Sequence, residues 1–231
     1  MSSKQAHSQD TRSTLVLITG GVRSGKSGLA ERYATRLARR RGRQDRPPAT
    51  GSATGANQGD DVLYVATAQV RDEEMAARVA RHRADRPATW RTVEAPLKLG
   101  ATLATALAGD RVVLVDSVDS WVSNRLLDAN PASGEQLDSQ RFAALETALL
   151  DEVQAIVAAQ RSNGAPLILV SLEAGMGVIP PYPLGRAFRD LLGWVNAAFA
   201  TAADEVYLLV AGLPVEVKRL SAQTVQDLAR D

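Results

Sequence analysis

The sequence predicts an α/β protein, a mostly parallel sheet with helices on both faces. Two observations carry that expectation. Short runs that are apolar on both sides and rich in β-branched residues alternate with longer stretches of helical period. The chain has 231 residues, 45% of them hydrophobic and 23% charged, which suits a globular protein able to bury a sizeable core.

The first thirteen residues, MSSKQAHSQDTRS, are polar, lack the apolar stretch of a secretory leader, and are expected to form a disordered tail. A strand follows over 14–19 (TLVLIT), then a helix over 27–41. Five arginines crowd the end of that helix between Arg36 and Arg43. Cations there complement the helix dipole, and no aromatic residues interleave as in a nucleic-acid surface. The Pro-, Gly- and Ser-rich stretch at about 43–60 reads as a flexible inserted loop. Further strands are expected over 61–66, 111–116, 166–171 and 205–211, and helices over 73–83, 97–108, 136–161 and 184–201. Asp72 can cap the helix over 73–83, with Glu73 and Glu74 favouring its first turn. Residues 14–218 are expected to be one domain, with 219–231 a C-terminal extension.

Composition narrows the partners. A net charge of +1 gives no general pull towards nucleic acid or membrane, and 23 arginines against 4 lysines is a bias of the whole chain. The absence of cysteine excludes disulfides and thiolate metal sites and fits a reducing cytoplasm. Runs such as PLILVSL are too short to span a bilayer. The expectation is a soluble cytoplasmic protein with no nucleic-acid partner and no membrane insertion.

Immediately after the first strand, Gly20, Gly21, Val22, Arg23, Ser24, Gly25, Lys26 and Ser27 spell GGVRSGKS, which fits G-x-x-x-x-G-K-[ST] at the start of a helix. Glycines there let successive N–H groups curl around phosphate oxygens, and the helix N-terminus adds positive charge. Lys26 would reach the β- and γ-phosphates and the Ser27 hydroxyl would sit on Mg²⁺. Asp116, closing the strand VVLVD, is the expected acidic partner for that metal; DSVDSW also offers Asp119, which could instead be the helix N-cap. This makes the fold a P-loop NTPase of RecA-like type, with ATP or GTP as substrate. Of the two histidines, His7 lies in the tail and His82 near the end of the helix over 73–83, beside the seam of Met75 and Val79. An imidazole is largely neutral and nucleophilic near neutral pH, and Arg81, Arg83 and Arg86 could hold phosphate oxygens beside it. On residues alone, His82 is either reactive or an inert helix-end side chain. The reaction is correspondingly open between a small-molecule kinase and a RecA-like nucleic-acid-stimulated ATPase.

The blocks TGGVRSGKS, YVATAQVRDEEMAARVARHRADRPATWRTVE, VDSVDSWVSN, EAGMGVIPPYPLGRAFRD and VNAAFATAADEVYLLVAGLPVEVK resemble the bifunctional adenosylcobinamide kinase/adenosylcobinamide-phosphate guanylyltransferase family of cobalamin biosynthesis. The resemblance covers nearly everything from Thr14 to Lys218. It implies phosphorylation of adenosylcobinamide with ATP or GTP, followed by GMP transfer through a covalent GMP–histidine, here at His82. It implies nucleotide contacts at Gly20 to Ser27, at Ala66, Thr67 and Ala68, at Arg83, Ala84, Asp85 and Arg86, and at Glu94 and Asp116. Lys26 would act in catalysis, with Arg83 or Arg86 helping to neutralise leaving pyrophosphate. Glu173, Gly175, Met176 and Gly177 would join the active-site surface, and a homotrimer is implied. This chain departs from the family in Leu172, where Asn is common, in the long 43–60 insertion, and in both terminal extensions.

Overall fold

The computed structural model describes residues 14–44, 62–69, 73, 86–109, 112–130 and 138–228. The expected helix over 73–83, most of the 43–60 insertion and the N-terminal tail lie outside the described residues, except Glu73.

Seven strands form one sheet: β1 (Leu15–Gly20), β2 (Val62–Ala66), β3 (Arg91–Glu94), β4 (Val112–Asp116), β5 (Leu167–Leu172), β6 (Glu205–Val210) and β7 (Leu213–Glu216). Their order is β3-β2-β4-β5-β1-β6-β7. All neighbours pair parallel except β6 with β7, which are antiparallel across a turn where Ala211 and Gly212 take positive φ. The described helices are α1 (Lys26–Gln44), α2 (Leu99–Ala106), α3 (Val118–Ala129), α4 (Ser139–Asn163), α5 (Pro183–Ala202) and α6 (Val217–Leu228).

Strand side chains alternate between two cores, as the pleat requires. Leu15 and Leu17 of β1 join the larger core with Leu103 of α2, Trp121 of α3, Leu149 of α4 and Phe199 of α5. Val16 and Ile18 face α1 instead, packing with Ala30, Ala34 and Leu37. Each fully buried Leu or Phe contributes about 1.5–3 kcal/mol relative to exposure, so this two-sided burial is what makes the strands read as continuous apolar runs. The chain is therefore the expected α/β sheet covered on both faces.

The element boundaries have local causes. In α4, Asp138 accepts a hydrogen bond from Arg141 N and starts the helix. Gly164, at φ 70°, ends it by donating to the carbonyl of Gln160. Pro183 opens α5. Four elements escape the periodicity reading. β3 and β7 are short and largely exposed, so they lack an apolar run. α3 carries Ser, Asn and Asp, which have weak helix propensity, yet buries Trp121, Val122, Asn124 and Leu126. α6 packs against β6 and runs through the expected boundary at 218. No helix among the described residues is long and apolar enough to cross a membrane.

Candidate active site

The phosphate loop leaves the C-terminal end of β1, a strand hydrogen-bonded on both sides. Gly20 pairs with Leu172 of β5 and Leu209 of β6. Gly20 has φ 152°, and a Cβ there would lie 2.6 Å from the Leu209 carbonyl oxygen. Arg23 and Gly25 also take positive φ, at 58° and 92°. The chain thus curls sharply before α1 begins at Lys26, and only glycine fits the first of these positions. Lys26 Nζ folds back to donate to the Gly21 carbonyl at 2.8 Å. The Ser24 hydroxyl is buried without a hydrogen-bond partner.

Register then sets a row of strand ends beside the loop. Ala66 of β2 stands level with Glu94 of β3 on one side and Asp116 of β4 on the other. Two strand spacings, about 10 Å, separate the end of β4 from the end of β1, with β5 between them. Residues far apart in sequence therefore share one sheet edge, the usual ligand edge of a parallel sheet. Side chains lock this row. The Thr67 hydroxyl donates to the Ser117 carbonyl at 2.6 Å and accepts from Ser117 N at 2.8 Å. Asn124 Nδ2 donates to the carbonyls of Thr67 at 2.8 Å and Pro96 at 3.0 Å. The Tyr64 hydroxyl donates to Asp116 Oδ2 at 2.9 Å.

Asp119 links this row to the phosphate loop. Ser117, not Asp119, occupies the N-cap position of α3; Asp119 lies in the first turn and accepts from Leu172 N at 3.0 Å. Burial pushes the Asp119 carboxyl up, the hydrogen bond with Ser117 pulls it back in part, and nearby Asp116 raises it further while Lys26 opposes. One carboxylate thus feels both the phosphate-loop lysine and the strand-end aspartate. The Leu172 carbonyl accepts from Asn196 Nδ2 at 2.9 Å, so both main-chain groups of Leu172 are satisfied without a polar side chain. The next residue, Glu173, donates its N–H to the Gly20 carbonyl at 3.0 Å and turns its carboxylate onto Gly175 N at 2.7 Å.

Gly20 to Ser27, Ala66, Thr67, Ala68, Glu94 and Asp116 all lie along this edge. Thr67 is fully buried, with its hydroxyl bonded to Ser117, its N–H to the Asp116 carbonyl and its carbonyl to Asn124, so it shapes the edge by holding its neighbours. Met176 is 79% exposed on the loop after β5. Arg86 lies with its guanidinium carbon 3.2 Å from the centre of the Tyr64 ring. His82, Arg83, Ala84 and Asp85 lie outside the described residues. Arg36, Arg39 and Arg40 line a cleft of about 580 Å³ with Pro87 and Trp90, along α1 rather than at the phosphate loop. Sequence reasoning missed Tyr64 and Asn124. The signal for each was its place in a block carrying the resemblance, Asn124 at the end of VDSVDSWVSN and Tyr64 at the start of YVATAQ, but neither residue type marks a role by itself.

Among the described residues no group of three or more His, Cys, Asp or Glu could hold a metal. The oxygen donors Ser27 and Asp116 suit a hard cation that takes its other ligands from phosphate and water, as Mg²⁺ does.

Comparison with known proteins adds a match along nearly the whole chain. A family model described as cobinamide kinase / cobinamide phosphate guanyltransferase matches residues 16–217. The bifunctional adenosylcobalamin biosynthesis protein CobU of Salmonella typhimurium is 39% identical over 206 residues, 88% of this chain and 99% of that protein. CobU of Escherichia coli is 37% identical, covering 88% of this chain and 99% of the relative. The bifunctional adenosylcobalamin biosynthesis protein CobP of Pseudomonas aeruginosa is 41% identical, covering 87% and 96%.

Proposed function

The chain belongs to the cobinamide kinase / cobinamide phosphate guanyltransferase family, and from that premise we propose how two reactions divide among its residues. The enzyme phosphorylates adenosylcobinamide with ATP or GTP and then transfers GMP from GTP to the product, giving adenosylcobinamide-GDP. The observation that carries this reading is the juxtaposition of a phosphate loop and Asp116 on one sheet edge, in a chain matching the family over 16–217.

In the first reaction the substrate hydroxyl oxygen bonds to the γ-phosphorus, the bond to the β-phosphate oxygen breaks, and the hydroxyl proton leaves. Lys26 and the loop amides of Gly21 to Gly25 stabilise the charge that develops. The unpartnered Ser24 hydroxyl supplies a further donor at the same place. Ser27 and Asp116 would hold Mg²⁺, which when bound neutralises phosphate charge. In the second reaction neutral His82 attacks the α-phosphorus of GTP and pyrophosphate departs, its charge met by Lys26 and by Arg83 or Arg86. The cobinamide phosphate then displaces the histidine. Splitting one hard displacement in two is the gain of covalent catalysis. Ala66, Thr67, Ala68, Ala84, Asp85 and Glu94 complete the nucleotide surface, and Glu173, Gly175, Met176 and Gly177 border it.

We place residues 14–218 in one catalytic domain, working in the cytoplasm as a homotrimer. Exposed Val210, Leu213 and Leu220 on β6, β7 and α6 support self-association. The decisive experiment uses GTP labelled at the α-phosphate with Mg²⁺, followed by denaturation. Wild type should retain acid-labile, base-stable label, and His82→Ala should retain none while keeping part of its kinase activity. Label surviving in His82→Ala sinks the assignment of the nucleophile.

A further inference from the structure

We infer that Tyr64 is a positioning residue for both reactions, its ring seating Arg86 and its hydroxyl orienting Asp116. The inference rests on the assignment of Asp116 and Arg86 to the nucleotide site. Tyr64 lies in β2 and is 3% exposed.

Each end of the side chain makes a distinct contact. The guanidinium of Arg86 lies 3.2 Å over the ring centre. A cation over an aromatic face gains most where water is excluded, and Arg86 Nε is buried without a hydrogen-bond partner. The ring face is thus one contact that seats Arg86. At the other end the hydroxyl donates to Asp116 Oδ2 at 2.9 Å, fixing the carboxylate's rotation and leaving its second oxygen for a cation or a phosphate-bound water. One side chain thus references the arginine that follows the His82 block to the carboxylate at the end of β4. Tyr64 touches no reacting atom in this arrangement; it acts through Arg86 and Asp116.

The two contacts can be separated by substitution in the full chain. Tyr64→Leu removes both, whereas Tyr64→Phe keeps the ring and removes only the hydroxyl. The readouts are adenosylcobinamide phosphorylation as a function of Mg²⁺, protein labelling from α-labelled GTP, and thermal unfolding. Tyr64→Leu should slow labelling about tenfold or more and slow phosphorylation as well. Tyr64→Phe should restore labelling to near the wild-type rate, yet leave phosphorylation kcat down about tenfold, with a higher half-saturating Mg²⁺. A side chain that merely fills the core gives another result: Tyr64→Phe matches wild type throughout, and Tyr64→Leu lowers both activities in step with the folded fraction. That result overturns the inference, as does Tyr64→Phe failing to restore labelling. If wild type neither takes label nor phosphorylates adenosylcobinamide, the assigned reactions fall instead, which separates the two failures.

Discussion

The phosphate loop and the wall formed by β2 and β4 face each other across the end of β5, but they are built differently. At the loop, backbone conformation does the shaping: Gly20, Arg23 and Gly25 take positive φ, and the contact nearest Gly20 is a main-chain carbonyl. Along the wall, side chains do it: Tyr64, Thr67, Asp116 and Asn124 join segments fifty or more residues apart in sequence. A backbone-built region needs particular residue types in consecutive positions, so it leaves a motif. A side-chain-built region uses ordinary residue types at positions that only the sheet register brings together.

The contrast is sharpest in what substitution should do. Gly20→Ala attacks the backbone-built side directly, because its Cβ meets the Leu209 carbonyl at 2.6 Å at a φ that L residues rarely adopt. Labelling from GTP and phosphorylation should both fall at least about 100-fold, since the whole loop is displaced. Retained activity would mean that the loop tolerates distortion and is not held by its backbone.

On the wall the losses should appear first as stability. Asn124→Ala strands the buried carbonyl of Thr67 and removes a donor from the half-buried carbonyl of Pro96, and should cost roughly 2–3 kcal/mol in denaturant unfolding. Thr67→Val keeps the shape but unpairs Ser117 N and removes one of the two donors to the Ser117 carbonyl, which Trp121 N still reaches, at roughly 1–2 kcal/mol. Unchanged stability in both would show that the wall, like the loop, is held by its backbone.

The smallest effect lies at the opposite end of the sheet, where the ends of β1 and β6 are tied together. Asp204 accepts from Leu15 N at 2.7 Å and from Arg161 through two bonds of 2.9 Å. Partial burial pushes the Asp204 carboxyl up, but the bonds from Arg161 and Leu15 outweigh it, and the pKa is lowered overall. Because the folded group is the stronger acid, its contribution is present above the unfolded pKa of about 3.9 and is lost as pH falls through the folded value. Arg161→Ala should lower the unfolding midpoint by about 2 °C at neutral pH, the difference closing in acid. A gap that widened in acid would reverse the sign of this linkage.

How much of this was legible follows from the same contrast. The phosphate loop, the five apolar strands and the strand-end Asp116 were readable because each is encoded locally. His82 became a candidate nucleophile only through the family resemblance, since a histidine on a helix carries no local mark of its chemistry. Asp119 was visible, but its role was misread. Its residue type suits a helix N-cap, but nothing local reveals Leu172 N arriving from β5. At Leu172 the main chain makes the polar contacts, to Asp119 and Asn196. Tyr64 and Asn124 were out of reach because their partners are set by strand register, which single-chain periodicity does not carry.

The placement of β1 has a consequence in time. This strand is buried along its whole length and bonded to β5 and β6 on either side. Its amide hydrogens should be among the last to exchange with solvent, leaving only when the whole domain opens. The anchor of the phosphate loop therefore has the lifetime of the fold itself. Nucleotide should slow exchange at exposed Val22 and Arg23 and change nothing within β1.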